Sequence, residues 1–129
     1  MRYQSKYYNV KTRSADGTVF DSHKEAMRYE QLLMLQKVGE ISNLQRQVPF
    51  ELIPAQYESF ERYGKNGKRL KDGKRCIEKS VVYIADFVYN EDGKKVVEDV
   101  KSAATKKKES YILKRKMLLW VYGIKLRET

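Results

Sequence analysis

The chain has 129 residues, of which 41% are hydrophobic and 34% charged, with a formal net charge of +10. That length suits one hydrophobic core and is too short for two ordinary domains, so residues 1–129 read as a single domain. The apolar content excludes a disordered chain, and no run approaches the ~18 apolar residues of a membrane-spanning helix, so no membrane partner is expected.

Met1 to Val10 is polar and aromatic rather than charged and then apolar, so no secretory signal is read there and a cytoplasmic protein is expected. Cys76 is the sole cysteine and His23 the sole histidine. Neither an internal disulfide nor a thiolate and imidazole zinc site follows from one of each. Any metal must be held by carboxylate oxygens, which suits Mg2+ or Mn2+.

Tyr7 to Phe20 alternates loosely around Asp16-Gly17 and predicts a short irregular hairpin. Asp21 to Val38 changes to a helical period, with Ala26, Tyr29, Leu32, Leu33 and Gln36 on one face. Ser22 is its N-cap, Glu25 completes an S-x-x-E capping box, and Gly39 ends it. Phe50 to Ile53, between Pro49 and Pro54, predicts a short strand near a sheet edge. Gly64 to Gly73 places three glycines among lysines and reads as an exposed, mobile basic loop at about 62–79, without the spacing of a phosphate-binding P-loop. Val81 to Tyr89 and Lys94 to Lys101 predict two strands joined at Asp92-Gly93, a pair suited to a turn with both central residues at positive φ. Thr105 to Tyr122 predicts a second helix, basic in its first half and apolar at Met117, Leu118, Leu119 and Val121, closed by Gly123. Ile124 to Arg127 returns as a last short strand. This order predicts an α/β fold, a mixed sheet with helices packed against it.

Charge is unevenly spread. Arg62 to Lys79 holds eight basic and two acidic residues, and Lys101 to Lys116 holds seven and one. Two basic surfaces on an otherwise balanced chain are the footprint of a polyanion, although a solvated lysine-rich face has the same composition. The candidate nucleic-acid contacts are Arg62, Lys65, Lys68, Arg69, Lys71, Lys74 and Arg75 in the first segment. In the second they are Lys106, Lys107, Lys108, Lys114 and Lys116.

With Asp92 and Gly93 as the loop, antiparallel pairing sets Asp86 opposite Asp99, and alternation puts Lys101 and Ile84 on the same side. Like charges directly opposed across strands are destabilising, and a divalent cation between the carboxylates removes the repulsion. Lys101 then stands at the edge of that metal, where an ammonium orients water and offsets phosphate charge.

Ile84-Ala85-Asp86, followed after twelve residues by Asp99-Val100-Lys101, resembles the PD-(D/E)xK motif of restriction-endonuclease-like nucleases. Ala85 stands in place of the motif's proline and costs no ligand; Glu98 adjoins the second acid, and strand alternation with the lysine spacing favours Asp99. Further blocks resemble a family of short phage and prophage proteins placed in that superfamily. These are Phe20-Asp21-Ser22 with Glu25-Ala26 and Tyr29-Glu30, Gln47-Val48-Pro49-Phe50, Tyr83 to Phe87, Val97 to Lys101, and Leu113 to Lys116 ending at Tyr122-Gly123-Ile124. Similar layouts occur in transposon-end nucleases and Holliday junction resolvases. The resemblance implies a three-layer restriction-endonuclease-like fold and a metal held by Asp86, Asp99 and the carbonyl of Val100. It implies a catalytic set of Glu25, Asp86, Asp99 and Lys101, although the capping box explains Glu25 without catalysis. It further implies Mg2+ or Mn2+ as cofactor, DNA as substrate, branched DNA included, and the host cytoplasm as location for a phage-encoded chain. Junction resolution needs two active sites, hence a homodimer. A non-catalytic DNA-binding accessory protein and an RNA-directed nuclease remain open as alternatives.

Overall fold

The computed structural model describes residues 11–129; the first residues of the expected amino-terminal hairpin and the segment read for a secretory signal lie outside them. Of that hairpin, β1 (Thr12–Arg13) and β2 (Val19–Phe20) pair antiparallel, with Thr12 opposite Phe20. Gly17, at φ 89°, supplies the turn. Helix α1 (His23–Lys37) follows, with extended Ser22 accepting from the amide of Glu25 at 3.2 Å. It ends at Gly39, where φ is 85°.

Strand β3 (Ile41–Ile53) is far longer than the expected Phe50–Ile53. Leu44, Val48, Phe50 and Leu52 alternate along it, but Arg46 stands at an inward position of that series and breaks the apolar pattern; Asn43 and Gln47 take positive φ, 54° and 50°. β3 is an edge of its sheet, where Pro49 can forgo a ladder donor. It pairs antiparallel with β6 (Val81–Glu91), Phe50 opposite Tyr83 and Ile41 opposite Glu91. β6 in turn pairs with β7 (Lys94–Asp99), Phe87 opposite Glu98 and Glu91 opposite Lys94. Asp92 and Gly93, at φ 52° and 75°, form the expected tight turn. The last strand, β8 (Arg127–Glu128), lies slightly beyond the expected one and is parallel to β7. It reaches that position through α2 (Ala103–Lys106) and α3 (Glu109–Tyr122), the crossover that a parallel neighbour requires. The expected single helix from Thr105 is thus two, because Lys108 takes an extended ψ of 131° between them. The four-stranded sheet runs β3-β6-β7-β8 and is mixed.

The expected loop at 62–79 is instead part of a two-stranded antiparallel ribbon, β4 (Gln56–Tyr63) and β5 (Arg69–Glu78), with its turn at 64–68. Nearly all its side chains are exposed, so no buried period marks the strands. Gly73 lies opposite Phe60, and a Cβ there would collide with the ring. Arg75 covers the same ring at 4.4 Å from its centroid. The ribbon leaves the main sheet after Ile53 and rejoins it at Val81, which are paired.

Two apolar clusters hold the layers. Ala26 and Leu32 of α1 pack with Phe20, Ile41, Phe87 and Tyr89, while Tyr111 and Leu118 of α3 pack with Phe50, Leu52, Tyr83, Ala85, Val88 and Val97. Along β7, Val97 joins the α3 cluster and Val96 the α1 cluster, so helices flank both sides of the sheet. Among the described residues no helix is long and apolar enough to cross a membrane.

Candidate active site

The turn at Asp92-Gly93 fixes the register, and the register brings Asp86 and Asp99 together. Each carboxylate bonds to the backbone of the other strand. Asp86 N donates to Asp99 Oδ1 at 2.7 Å, and Val100 N donates to Asp86 Oδ2 at 2.9 Å. These reciprocal bonds modify the expectation that only a cation makes the opposed acids tolerable, because one oxygen of each is satisfied by an amide. The remaining oxygens are less well served. Asp99 Oδ2 is buried without a hydrogen-bond partner among the described residues, and the Lys101 ammonium approaches it only to 3.5 Å. Asp86 Oδ1 takes one long bond from Gln47 Nε2, 3.5 Å.

Burial pushes both carboxyls above their ordinary range, and the hydrogen bonds and Lys101 only partly reverse it. Glu25 is pushed up to about 7 by burial and by the Asp86 charge, against the opposing pull of Arg46. Its side chain does not serve the expected capping box. Ser22 makes its half, while Glu25 Oε1 accepts from Gln47 Nε2 at 3.3 Å. A single amide thereby links Glu25 to Asp86.

Of the two adjacent acids of β7, Asp99 is the one that meets Asp86, and Glu98 is bound elsewhere. Glu98 is fully buried and bound by Arg28 Nε at 2.7 Å, Arg28 Nη2 at 2.9 Å and the Tyr89 hydroxyl at 2.6 Å. Arg28 comes from α1, so the adjacent acids of β7 have different surroundings. The end of β7 is pinned by Thr129, whose amide donates to Asp99 O at 2.9 Å and whose carbonyl accepts from Lys101 N at 3.1 Å. Lys24 Nζ donates to the carbonyl of Lys101 at 3.2 Å. The strand that carries both acid and lysine is therefore held from α1 and from the carboxyl-terminal segment.

Sequence reasoning missed Gln47 and Arg46. Gln47 holds two of the acids, and its only signals were its positive φ, invisible in sequence, and its place in the Gln47 to Phe50 block. Arg46 lies over the Phe20 ring at 4.1 Å, with its Nε buried and unbonded among the described residues.

Of the basic candidates, Lys108 and Lys114 join Lys101 in lining an open cleft of 320 Å³ beside the acids. Lys116 faces a different cavity, with Leu119 and Ile124; Lys106 and Lys107 are exposed and line neither of these cavities. Arg62, Lys65, Lys68, Arg69, Lys71, Lys74 and Arg75 all belong to the ribbon. Arg69 is paired with Asp72 at 2.7 Å and Arg75 with Glu58 at 3.3 Å. His23 and Cys76 are exposed.

An all-oxygen donor set with an orphaned, buried carboxylate oxygen fits a hard divalent cation. Asp86, Asp99 and the Val100 carbonyl are the groups that would hold it. Among the described residues no three His, Cys, Asp or Glu side chains are grouped to hold a metal by themselves. Water and substrate oxygens would have to complete the shell, as is usual for magnesium.

No curated protein and no solved structure matches the chain. A family of unknown function matches residues 4–127, nearly the whole sequence. The chain belongs to that family, described as Protein of unknown function (DUF1064).

Proposed function

We propose that this protein is a divalent-metal-dependent nuclease of PD-(D/E)xK type that hydrolyses phosphodiester bonds in DNA. The observation that carries the reading is the convergence of Asp86, Asp99 and Lys101 at one end of a hairpin, with one oxygen of each acid left poorly bonded. A bound Mg2+ or Mn2+ would supply Lewis-acid polarisation of the phosphate and a water of lowered pKa. Asp86 and Asp99 hold charge at that point. Lys101 sets a positive charge beside Asp99 Oδ2, where it orients the attacking water and offsets negative charge developing on the phosphate oxygens. Glu25, with a carboxyl that titrates close to neutrality, accepts the proton as water adds to phosphorus and the ester oxygen leaves. The restriction-endonuclease-like three-layer arrangement belongs to the same proposal. It is supported by the mixed sheet with helices on both sides and by the acid-acid-lysine set at one end of a strand pair.

One observation favours a second reading. The reciprocal amide bonds give both aspartates a structural task that needs no metal, as expected of a DNA-binding accessory protein without catalysis. Incubation of the purified chain with labelled duplex, single-stranded and branched DNA, and with RNA, in Mg2+ or Mn2+ separates the two. Cleavage that disappears in Asp86→Ala and Asp99→Ala supports the nuclease. Salt-sensitive binding without cleavage of any substrate supports the accessory protein.

A further inference from the structure

The cleft beside the acids combines two chemistries that a duplex backbone does not need together. It is lined by Lys101, Lys108 and Lys114, by Thr105, Ser110 and Tyr111 from the same part of the chain, and by Val82, Tyr83 and Ile84 of β6. Ile84 is 54% exposed, although it stands in the middle of a strand whose neighbours Tyr83 and Ala85 are buried. The Tyr83 hydroxyl is buried with no hydrogen-bond partner among the described residues. The volume, 320 Å³, is at the low end of small-ligand sites, about 300–1,000 Å³. It is of the size of a single nucleotide rather than of a stretch of paired strands. Ammonium groups on one side match phosphates, and an apolar wall on the other matches the face of a base, which paired and stacked DNA keeps covered. Ile84 is two residues from Asp86, about 7 Å along the strand, so the cleft continues directly from the acids.

We propose that this cleft holds an unpaired nucleotide next to the bond to be cut, which makes single-stranded nucleic acid, or the opened strand of a branched one, the substrate class. The assignment rests on the nuclease reading for its meaning but is tested by binding alone. Fluorescence anisotropy in EDTA compares a fluorescein-labelled oligothymidylate with a blunt duplex of equal length, for wild type, Ile84→Glu and Lys114→Glu. An oligouridylate tells whether DNA or RNA is the better source of the strand. The expected result is tighter binding of the single strand than of the duplex, and a drop of about tenfold in single-strand affinity for Ile84→Glu, which replaces the apolar support beneath a base with a charge that a base face and a phosphate both reject. Lys114→Glu should also lower the salt slope by about 0.7. Thermal melting confirms that both variants are folded; Ile84→Ser replaces Ile84→Glu, and Lys114→Ala replaces Lys114→Glu, where one is not. Equal affinity for the two forms, or undiminished single-strand affinity in folded Ile84→Glu, overturns the assignment. A protein that cuts nothing yet prefers the single strand through Ile84 refutes the nuclease and leaves the cleft assignment standing. A protein that cuts DNA without that preference does the reverse.

Discussion

Gln47 bridges two of the site's carboxylates, Glu25 and Asp86. It is itself exposed, so its substitution should act on chemistry more than on folding. Gln47→Ala is expected to lower the turnover of DNA by about tenfold, in the range of a weakened positioning of catalytic groups, with KM and melting temperature little changed. A matching fall in melting temperature would make Gln47 a structural residue instead. Lys101→Ala is expected to lower cleavage by about 10²- to 10³-fold, as removal of one charge-stabilising donor does, while leaving the aspartates in place. Single-turnover rates measure both. At this scale the amino-acid sequence is most informative. The Asp92-Gly93 pair demands a two-residue turn, the turn demands the register, and the register sets Asp86 against Asp99. What the residues do not disclose is the backbone state of Gln47, since a positive φ at a non-glycine residue is a product of tertiary packing.

At the scale of elements, α1 is tied to β7 through the Arg28–Glu98 pair. Burial pushes the Glu98 carboxyl up, but the bonds from Arg28 and Tyr89, the Arg28 charge and Thr129 more than offset it and hold it below its ordinary value. A depressed carboxylate contributes stability that is fully present above the unfolded-state pKa and is lost as pH falls through the folded one. The contribution of Glu98 should therefore be lost on acidification below its ordinary value of 4.5, opposite in sign to the raised carboxyls of Glu25, Asp86 and Asp99, and Glu98→Gln should remove that part of the profile. Arg28→Ala leaves the buried carboxylate without its cation and is expected to cost about 3 kcal/mol at neutral pH, measured by urea unfolding. An unchanged midpoint would show that the pair does not join the layers. Element boundaries are less legible than the register. α1 is readable nearly to the residue because Ser22 and Gly39 punctuate it, whereas β3 shows only its last four residues because Arg46, at an inward position, and Pro49 conceal the alternation.

For the whole molecule, the layering follows from the order of elements, and the ribbon does not. β4 and β5 form their own two-stranded sheet, with almost every side chain in solvent, so neither face records burial and glycines among lysines look like a loop. Phe60, Gly73 and Arg75 show what gives the ribbon its shape: a ring laid across a glycine and covered by a guanidinium. Replacing Gln56–Glu78 with a short Asn-Gly turn should leave the four-stranded sheet intact, because the strands on either side, β3 and β6, already pair at Ile53 and Val81. DNA affinity should drop by about tenfold or more at low salt, with the salt slope falling by about 0.9 for each phosphate no longer neutralised. Unchanged binding would mean that the basic ribbon serves another purpose.

Whether Asp86 and Asp99 share a divalent cation is tested most directly by calorimetric titration of Mn2+ into the metal-free protein, which assumes nothing about substrate. Wild type should bind with a stoichiometry of about one per chain, as an oxygen-donor site of this kind can, and Asp99→Asn should abolish the heat while remaining folded. No heat with wild type, or an equal heat with Asp99→Asn, would contradict the shared cation and leave the two aspartates as partners of each other's backbone alone.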